Sequence, residues 1–344
     1  MTDLNERGIT YVLPIRAAVP SVSLEFRDYL GWVAARAEVI VVDGSSADVF
    51  AAHEAAWGDL VVHVAPHNDL ATDMGKVGGV LTGIRIASNE HIVIADDDVR
   101  YDGESLHAVV ESLGQAAVAR PQNFFDPLPW HAKWDTSRAL LNRVFGGDWP
   151  GTLGVRGSVL HATGGYDGSV MFENLELVRT VQSAGGTEAL LPGVYVRRLP
   201  STAAHFWSQR IRQAYDEFAR PARLVLQLVL LPAILFGMVM NQWIILGIAI
   251  VFSVLLAEIG RRKAGGARIF PATTPFFAPL WLAERAVCSW LALGTRVFIG
   301  GVRYNGTVLR RAATPTSILI ERHGRVLERH TQLMPDQTAR RRSA

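Results

Sequence analysis

The 344-residue chain contains one cysteine, Cys288. A disulfide framework within the chain is therefore excluded, and a cysteine-based metal site is disfavoured. Charge is also sparse: 19% of residues are charged against 49% hydrophobic, and the mean hydropathy is +0.18. Two stretches lack charge altogether, residues 224–240 and 243–257. A soluble domain rarely carries such runs, so a lipid-facing part is expected. The net charge of +2 is small but unevenly placed, with arginine gathered at Arg261, Arg262, Arg310, Arg311 and again at Arg340, Arg341 and Arg342. Basic clusters favour anionic surfaces, either nucleic acid or phospholipid headgroups. The apolar stretches upstream favour membrane phospholipid, and no nucleic-acid partner is expected. The opening MTDLNERGITYV has two acids before any apolar run and no hydrophobic core of a signal peptide. The N-terminal part is thus expected to stay in the cytoplasm.

Residues 9–200 read as an α/β domain. Short apolar runs rich in β-branched residues recur at Ile9 to Ile15, Glu38 to Val42, Leu60 to Val64 and His91 to Ala95. Helix-like segments such as 21–36 and 75–88 lie between them. Continuous apolar strands alternating with helices predict a mostly parallel sheet covered on both faces. Ligands of such sheets bind beyond the carboxyl ends of the strands. Pro14-Ile15-Arg16, Asp43-Gly44-Ser45 and Asp96-Asp97-Asp98 stand at three of those ends.

From about residue 221 the pattern changes. About 20 residues at 1.5 Å rise cross the hydrocarbon core, and each uncharged run is near the short limit for a span. The two runs predict a tight helical hairpin turning at Asn241-Gln242, with Arg220, Arg223, Arg261, Arg262, Lys263 and Arg268 on its cytoplasmic flanks. A third apolar segment, Phe276 to Ile299, contains Glu284, Arg285 and Arg296 with Trp281 and Trp290. An amphipathic helix lying in the interface accounts for charges and tryptophans together, and a third crossing is the alternative. Val302 to Leu309 reads as a hairpin turning at Asn305-Gly306, and residues 331–344 read as disordered. The resulting division is 1–215, 216–300 and 301–344.

The strongest chemical signal is the aspartate triplet closing the strand HIVIA. Side chains alternate on an extended chain, so Asp96 and Asp98 share a side and Asp97 takes the other. Hard divalent cations prefer oxygen ligands, and Mg²⁺ is typically held by one or two carboxylates plus substrate phosphates. Asp43 closes a second strand. Met74-Gly75-Lys76-Val77-Gly78-Gly79 reads as a glycine-rich turn whose Lys76 can meet a phosphate as a point charge. Gly164-Gly165-Tyr166-Asp167 precedes Phe172-Glu173-Asn174-Leu175-Glu176, and His205-Phe206-Trp207-Ser208-Gln209-Arg210-Ile211-Arg212-Gln213 precedes the apolar hairpin. Arg210 and Arg212 suit bidentate phosphate contacts. Trp207 suits sugar stacking or interfacial anchoring.

In this order the motifs resemble the family 2 inverting glycosyltransferases of the GT-A fold, in particular their membrane-bound, cellulose synthase-like and ceramide glucosyltransferase-like branch. The resemblance covers roughly residues 9–215. It implies a Rossmann-like nucleotide-sugar domain followed by a helical membrane region. It implies Asp96 and Asp98 as ligands of Mg²⁺ or Mn²⁺. It further implies that Pro14, Arg16, Asp43, Lys76, Asp96 and Asp97 bind the nucleotide-sugar, with a UDP-sugar as donor. Gln209, Arg210, Arg212 and Trp207 are similar to the family's QxxRW segment and are expected to meet phosphate or acceptor, although Gln213 stands where tryptophan is usual. Where members carry Glu-Asp with a catalytic Asp, this chain has Glu173-Asn174. An amide accepts no proton at useful pH, so three readings stand: Glu173 is the base, Glu176 is the base, or an anionic acceptor such as a lipid phosphate needs none; Glu173 is preferred. The expected activity is metal-dependent, inverting sugar transfer to a lipid or envelope glycan acceptor, from a multi-pass protein of the inner membrane with its catalytic domain on the cytoplasmic face. The rival readings are transfer to a polyprenyl phosphate and a non-catalytic nucleotide-binding membrane protein.

Overall fold

The computed structural model describes residues 8–324 and Val326. The opening seven residues, the segment 331–344 and the Arg340, Arg341 and Arg342 cluster lie outside them. The chain begins with β1 (Ile9–Ile15), α1 (Leu24–Ala34), β2 (Glu38–Asp43), α2 (Ala47–Trp57), β3 (Val62–Val64), α3 (Gly75–Ile86) and β4 (His91–Ala95). There follow β5 (Val99–Arg100), α4 (Gly103–Ser112), β6 (Val118–Phe125), α5 (Trp130–Val144), β7 (Thr152–Arg156), α6 (Gly157–Thr163), α7 (Glu173–Ser183) and β8 (Glu188–Arg198). The remainder is mainly helical: α8 (Ala203–Ser208), α9 (Arg210–Tyr215), α10 (Pro221–Val239), α11 (Trp243–Arg262) and α12 (Ala278–Phe298), then β9 (Val302–Tyr304), β10 (Thr307–Leu309) and α13 (Thr316–His323).

One eight-stranded sheet runs β3-β2-β1-β4-β7-β6-β8-β5. Its first four strands are parallel, as the apolar runs predict. β7 is antiparallel to both β4 and β6, β8 is parallel to β6, and β5 is antiparallel to β8. The sheet is therefore mixed, where a mostly parallel one was expected. β6 and β8 carry Arg120, Gln122, Arg197 and Arg198 within their spans, so their apolar runs are too short to show in the sequence.

The period-2 rule decides which face each residue serves. Tyr11, Leu13, Val39, Val41 and Val93 pack with α1, α2 and α4, whereas Val12, Ile92 and Ile94 pack with α3, α6 and α7. The glycines of 75–83 belong to a helix rather than to a turn, because α3 starts at Gly75. Their purpose is close packing on β1. A Cβ on Gly83 would lie 2.4 Å from Val12 Cγ1, and one on Gly79 3.0 Å from Pro14 Cβ. Together these features form a Rossmann-like GT-A domain followed by apolar helices.

α10 and α11 form the expected hairpin, joined through Asn241 at φ 55°. Three helical segments are long and apolar enough to cross a membrane: Pro221–Val239, Trp243–Arg268 and Thr274–Phe298. They differ in burial. Only 6% of the first is buried and 17% of the second, against 39% of the third. α12 packs on α5, α9 and α10. Near its start, Trp281 joins a cluster with Leu140 and Leu141 of α5; near its end, Arg296 donates to the Tyr215 hydroxyl at 2.9 Å. Both ends thus touch the α/β domain, and Glu284 and Arg285 face protein. Trp281, expected in the interface, is buried. After α12 the chain folds back on the domain. The β9–β10 hairpin turns at Asn305 and Gly306, both at positive φ. α13 packs on α7.

Candidate active site

β4 delivers the triplet. Ile92 and Ile94 face α3 and α7; beyond Ala95 the chain leaves the strand in a turn closed by Val99 N donating to Asp96 O at 3.1 Å, which places Asp96 and Asp98 in one cavity and Asp97 in another pocket. Asp97 lines a pocket of about 430 Å³ together with Ala17, Ser21, Glu25 and Arg100. Asp96 and Asp98 line a separate cavity of about 330 Å³ that runs from the strand ends to α12. Two cations hold them there. Lys76 Nζ lies 2.6 Å from Asp96 Oδ1 and 2.6 Å from Glu173 Oε1. Arg198 spans the pair, with Nη2 3.1 Å from Asp96 Oδ2 and Nε 2.8 Å from Asp98 Oδ2. Gly151 makes room for this cluster, since a Cβ there would lie 2.6 Å from Asp96 Oδ2 and 2.9 Å from Arg198 Nη1.

The charges are tuned by this packing. Burial raises the Asp96 carboxyl, but Lys76 and Arg198 outweigh it and hold the group below its ordinary range. Burial raises Asp98, and Arg198 offsets only part of that. Glu173 is raised by burial against the opposing pull of Lys76. Lys76 is itself shifted up: burial lowers it, and the paired Asp96 and Glu173 more than compensate. Lys76 is therefore a fixed cation tied to two carboxylates, where the sequence pattern predicts one free to meet phosphate.

The base position divides cleanly. Glu173 opens α7 and faces the cavity. Asn174 also lines it, with its amide donating to Pro150 O at 3.0 Å. Glu176 is turned away: it is fully buried and accepts from the Thr314 backbone N–H at 2.6 Å. A carboxylate sealed in this way cannot reach an acceptor, so the alternative base drops out for lack of access.

Asp43 also departs from expectation. It is 1% exposed. Its Oδ1 accepts from Ser45 N at 2.9 Å, and its Oδ2 meets His53 Nδ1 at 2.6 Å and His63 Nε2 at 3.2 Å. His53 Nε2 in turn accepts from Ser21 N at 2.8 Å, and Ser45 Oγ accepts from Ala17 N at 2.9 Å. Asp43 thus braces the loop that lines the Asp97 pocket, and its burial keeps it off that pocket's surface. Pro14 packs on α3 through Gly79, and Arg16 is exposed after β1.

The segment before the hairpin splits. Gln209, Arg210 and Gln213 line the cavity. Arg210 is buried, stacks 3.9 Å over the Phe206 ring, and pairs with Asp135 at 3.2 Å. Its fork is therefore engaged by protein rather than by phosphate. Arg212 lies over the Tyr304 ring at 5.3 Å. Trp207 is half exposed in a cluster with Trp130, Trp134 and Phe206. Sequence reasoning missed Arg198, Asp135, Asp216 and Arg285, all of which line the same cavity. The one available signal for Arg198 was its place at the end of a strand.

The donor set fits a hard divalent cation. Asp96 and Asp98 offer carboxylate oxygens on one side, and Asp98 Oδ1 is buried without a partner. A second group, Asp43, His53 and His63, brings one oxygen and two nitrogens within 4.8 Å of one another. Those atoms already hydrogen-bond one another, and neither Asp43 nor His53 reaches the cavity surface.

Residues 33–154 match the family model described as Glycosyl transferase family 2. The matched span runs from α1 to β7 and contains Asp43, Lys76 and the triplet. No curated protein matches the chain. Among solved structures, a mannosyltransferase from Pyrobaculum calidifontis in complex with GDP-Man and Mn²⁺ aligns over 96% of this chain and 88% of its own, at 16% identity and TM-score 0.47. Glucosyl-3-phosphoglycerate synthase from Mycobacterium tuberculosis, in complex with Mn²⁺, UDP and glucosyl-3-phosphoglycerate, aligns over 60% of this chain and 78% of its own, at 16% identity and TM-score 0.39. The family match over the segment that carries the triplet, taken with the sheet, supports a nucleotide-sugar glycosyltransferase.

Proposed function

We propose that the chain is a membrane-anchored, inverting glycosyltransferase that moves a sugar from a nucleotide-sugar to a lipid or envelope glycan acceptor. The observation that carries this reading is the cavity itself: Asp96, Asp98, Lys76, Arg198 and Glu173 gather at one end, and α12, at the root of the apolar hairpin, closes the other. The nucleoside occupies the pocket between the β1–α1 loop and Asp97, and a UDP-sugar is the preferred donor. Mg²⁺ or Mn²⁺ held by Asp96 and Asp98 would neutralise charge on the leaving diphosphate. Lys76 and Arg198 add fixed positive charge at the same place, where a site of low dielectric makes it most effective. Glu173, raised by burial, is the carboxyl suited to accept the acceptor's proton. Attack from the side opposite the diphosphate inverts the anomeric carbon.

The hairpin α10–α11 is the crossing element, with both flanks basic and cytoplasmic. α12 lies along the domain at the membrane surface. This gives an inner-membrane protein with its catalytic domain on the cytoplasmic face. A thermal-shift screen of nucleotide-sugars, with and without Mn²⁺, tests the donor half. One nucleotide-sugar should raise Tm only with metal, and Asp98→Ala should remove the response. If no nucleotide-sugar shifts Tm, or the shift ignores both metal and Asp98→Ala, the reading fails.

A further inference from the structure

Arg310 and Arg311 belong to a basic cluster that the sequence offers to an anionic surface. The structure turns one of them onto the protein. Arg311 Nη2 lies 2.9 Å from Asp167 Oδ2 and donates to Ser169 Oγ at 2.9 Å. Asp167 Oδ1 in turn accepts from Ser169 N at 2.8 Å and from Ser169 Oγ at 2.6 Å. The turn 167–169 is therefore closed on itself and pinned by one guanidinium. Asp167 ends the motif Gly164-Gly165-Tyr166-Asp167, which the proposed chemistry leaves without a task.

This turn stands between the two halves of the Lys76–Glu173 pair. On one side, Gly168 O accepts from Met74 N at 2.8 Å, immediately before α3, whose second residue is Lys76. The approach is close: a Cβ on Gly168 would lie 2.5 Å from Thr72 Cβ. On the other side, the chain runs from Ser169 into Glu173, the first residue of α7. The strap formed by residues 310–314 follows that run. Val170 pairs with Arg311 in a parallel bridge, Met171 N donates to Arg311 O at 2.9 Å, and Phe172 N donates to Ala312 O at 2.8 Å. The strap is itself fixed, because the Tyr215 hydroxyl donates to Arg310 O at 2.7 Å and accepts from Arg296 of α12 at 2.9 Å. The backbone bonds set the register of strap and loop. The Arg311 side chain ties that register to the 167–169 turn, and through the turn to Met74.

Lys76 Nζ touches Asp96 Oδ1 and Glu173 Oε1 at 2.6 Å each, so the loop also sets where Glu173 stands relative to the aspartates. Rates fall steeply when a reacting group is displaced by a fraction of an ångström to an ångström. The Arg311 side chain is 41% exposed, and an ion pair of that kind adds little to global stability. Its loss should therefore show in the placement of the site and not in unfolding.

We infer that Arg311 is a positioning residue: through Asp167 and Ser169 it sets the loop 167–172, and with it the contact between Lys76 and Glu173. The inference rests on the transferase reading for what Glu173 does, but not for where Glu173 stands.

The test uses the full chain in detergent with Mn²⁺, UDP-glucose and GDP-mannose as donors, and release of UDP or GDP as the readout. Arg311→Gln should lower kcat by about tenfold or more, with KM for the donor within about threefold and Tm within about 2 °C of the parent. Arg311→Lys should recover about a third of the parent's kcat or more, because an ammonium still bridges Asp167 and Ser169. Asp167→Asn should reproduce the loss from the other side of the pair, and the double change should lose no more than either single one. Arg310→Gln, an exposed neighbour in the same strap, should match the parent. An Arg311→Gln variant with the parent's kcat, a loss that Arg311→Lys does not relieve, or a loss that follows a fall in Tm would overturn the positioning role. Placement is read separately by acetic anhydride labelling of Lys76, located by mass spectrometry on the same preparations. Lys76, held by two carboxylates, should be protected in the parent and label about fivefold faster or more in Arg311→Gln. Equal labelling overturns the inference even where no turnover is measured. If the parent turns over neither donor while Arg311→Gln still exposes Lys76, the positioning role stands and the transferase reading loses its support.

Discussion

The two ends of the central cavity contrast in how their charges are satisfied. At the strand ends, Asp96, Asp98 and Glu173 are each bound to Lys76 or Arg198 at 3.1 Å or less. At the α12 end, Arg285, Arg220, Asp216 and Glu217 all keep buried atoms without partners. The first end is an ionic cluster in which Lys76 and Arg198 neutralise the carboxylates, with Asp98 Oδ1 left buried without a partner. The second is an open set of donors and acceptors. A pre-paired cluster is preorganised and rigid, while unpaired buried groups have a preference for whatever ligand satisfies them. On the proposed function the chemistry belongs to the first end, and the second is left with polar atoms that the protein does not satisfy.

The comparison can be broken most severely at Asp98. Asp98→Ala should cut sugar transfer by roughly 10³-fold, the scale of losing a principal electrostatic element; activity above a tenth of the parent's would remove the pair from the chemistry. Next is the pair of glutamates on α7. Glu173→Gln should lower kcat about 10²-fold. Glu176→Gln should leave kcat within about threefold while lowering Tm by several degrees, since the buried Thr314 N–H loses its charged acceptor at a cost of about 1–3 kcal/mol. Reversal of those two outcomes would move the base. Arg198→Gln should reduce kcat by about 10- to 100-fold, the equivalent of one charge-assisted contact of about 1.5–3 kcal/mol. An unchanged kcat would make Arg198 a purely structural partner of the aspartates.

The smallest effect concerns pH. Asp216 is held at about 7 in the folded chain, above the ordinary value of about 3.9. Between those values the native state keeps a proton that the unfolded chain has released. The stability linked to Asp216 is therefore complete below about pH 4 and declines as pH rises towards 7, by up to about 1.4 kcal/mol per pH unit. Asp216→Asn should flatten Tm between pH 5 and 7 relative to the parent. A variant with the parent's slope would show that Asp216 is not the group that titrates.

The strands at Ile9–Ile15 and His91–Ala95 were legible because a strand buried on both faces must be continuously apolar. The hairpin at Asn305-Gly306 was legible because few residues accept positive φ. β6 and β8 were not, since their polar residues point into the cavity or pair across the sheet, as Arg120 does with Glu188. Lys76 was legible as a candidate cation, but its pairing with Asp96 and Glu173 was not. A lysine beside glycines signals phosphate only if its ammonium is free, and the acids that occupy it lie 20 and 97 residues away.

By itself the sequence determined the buried strand that ends in the aspartate triplet. It also determined the apolar hairpin and the missing aspartate at Asn174, because each depends on neighbouring residues or on length alone. Only the tertiary structure decided which charges are spent and which are free. It buried Asp43 between two histidines, sealed Glu176 under Thr314, laid α12 along the domain, and brought Arg198 and Arg285 to opposite ends of one cavity. Those outcomes depend on contacts between residues tens to more than a hundred positions apart, and no local pattern of spacing or hydropathy encodes them.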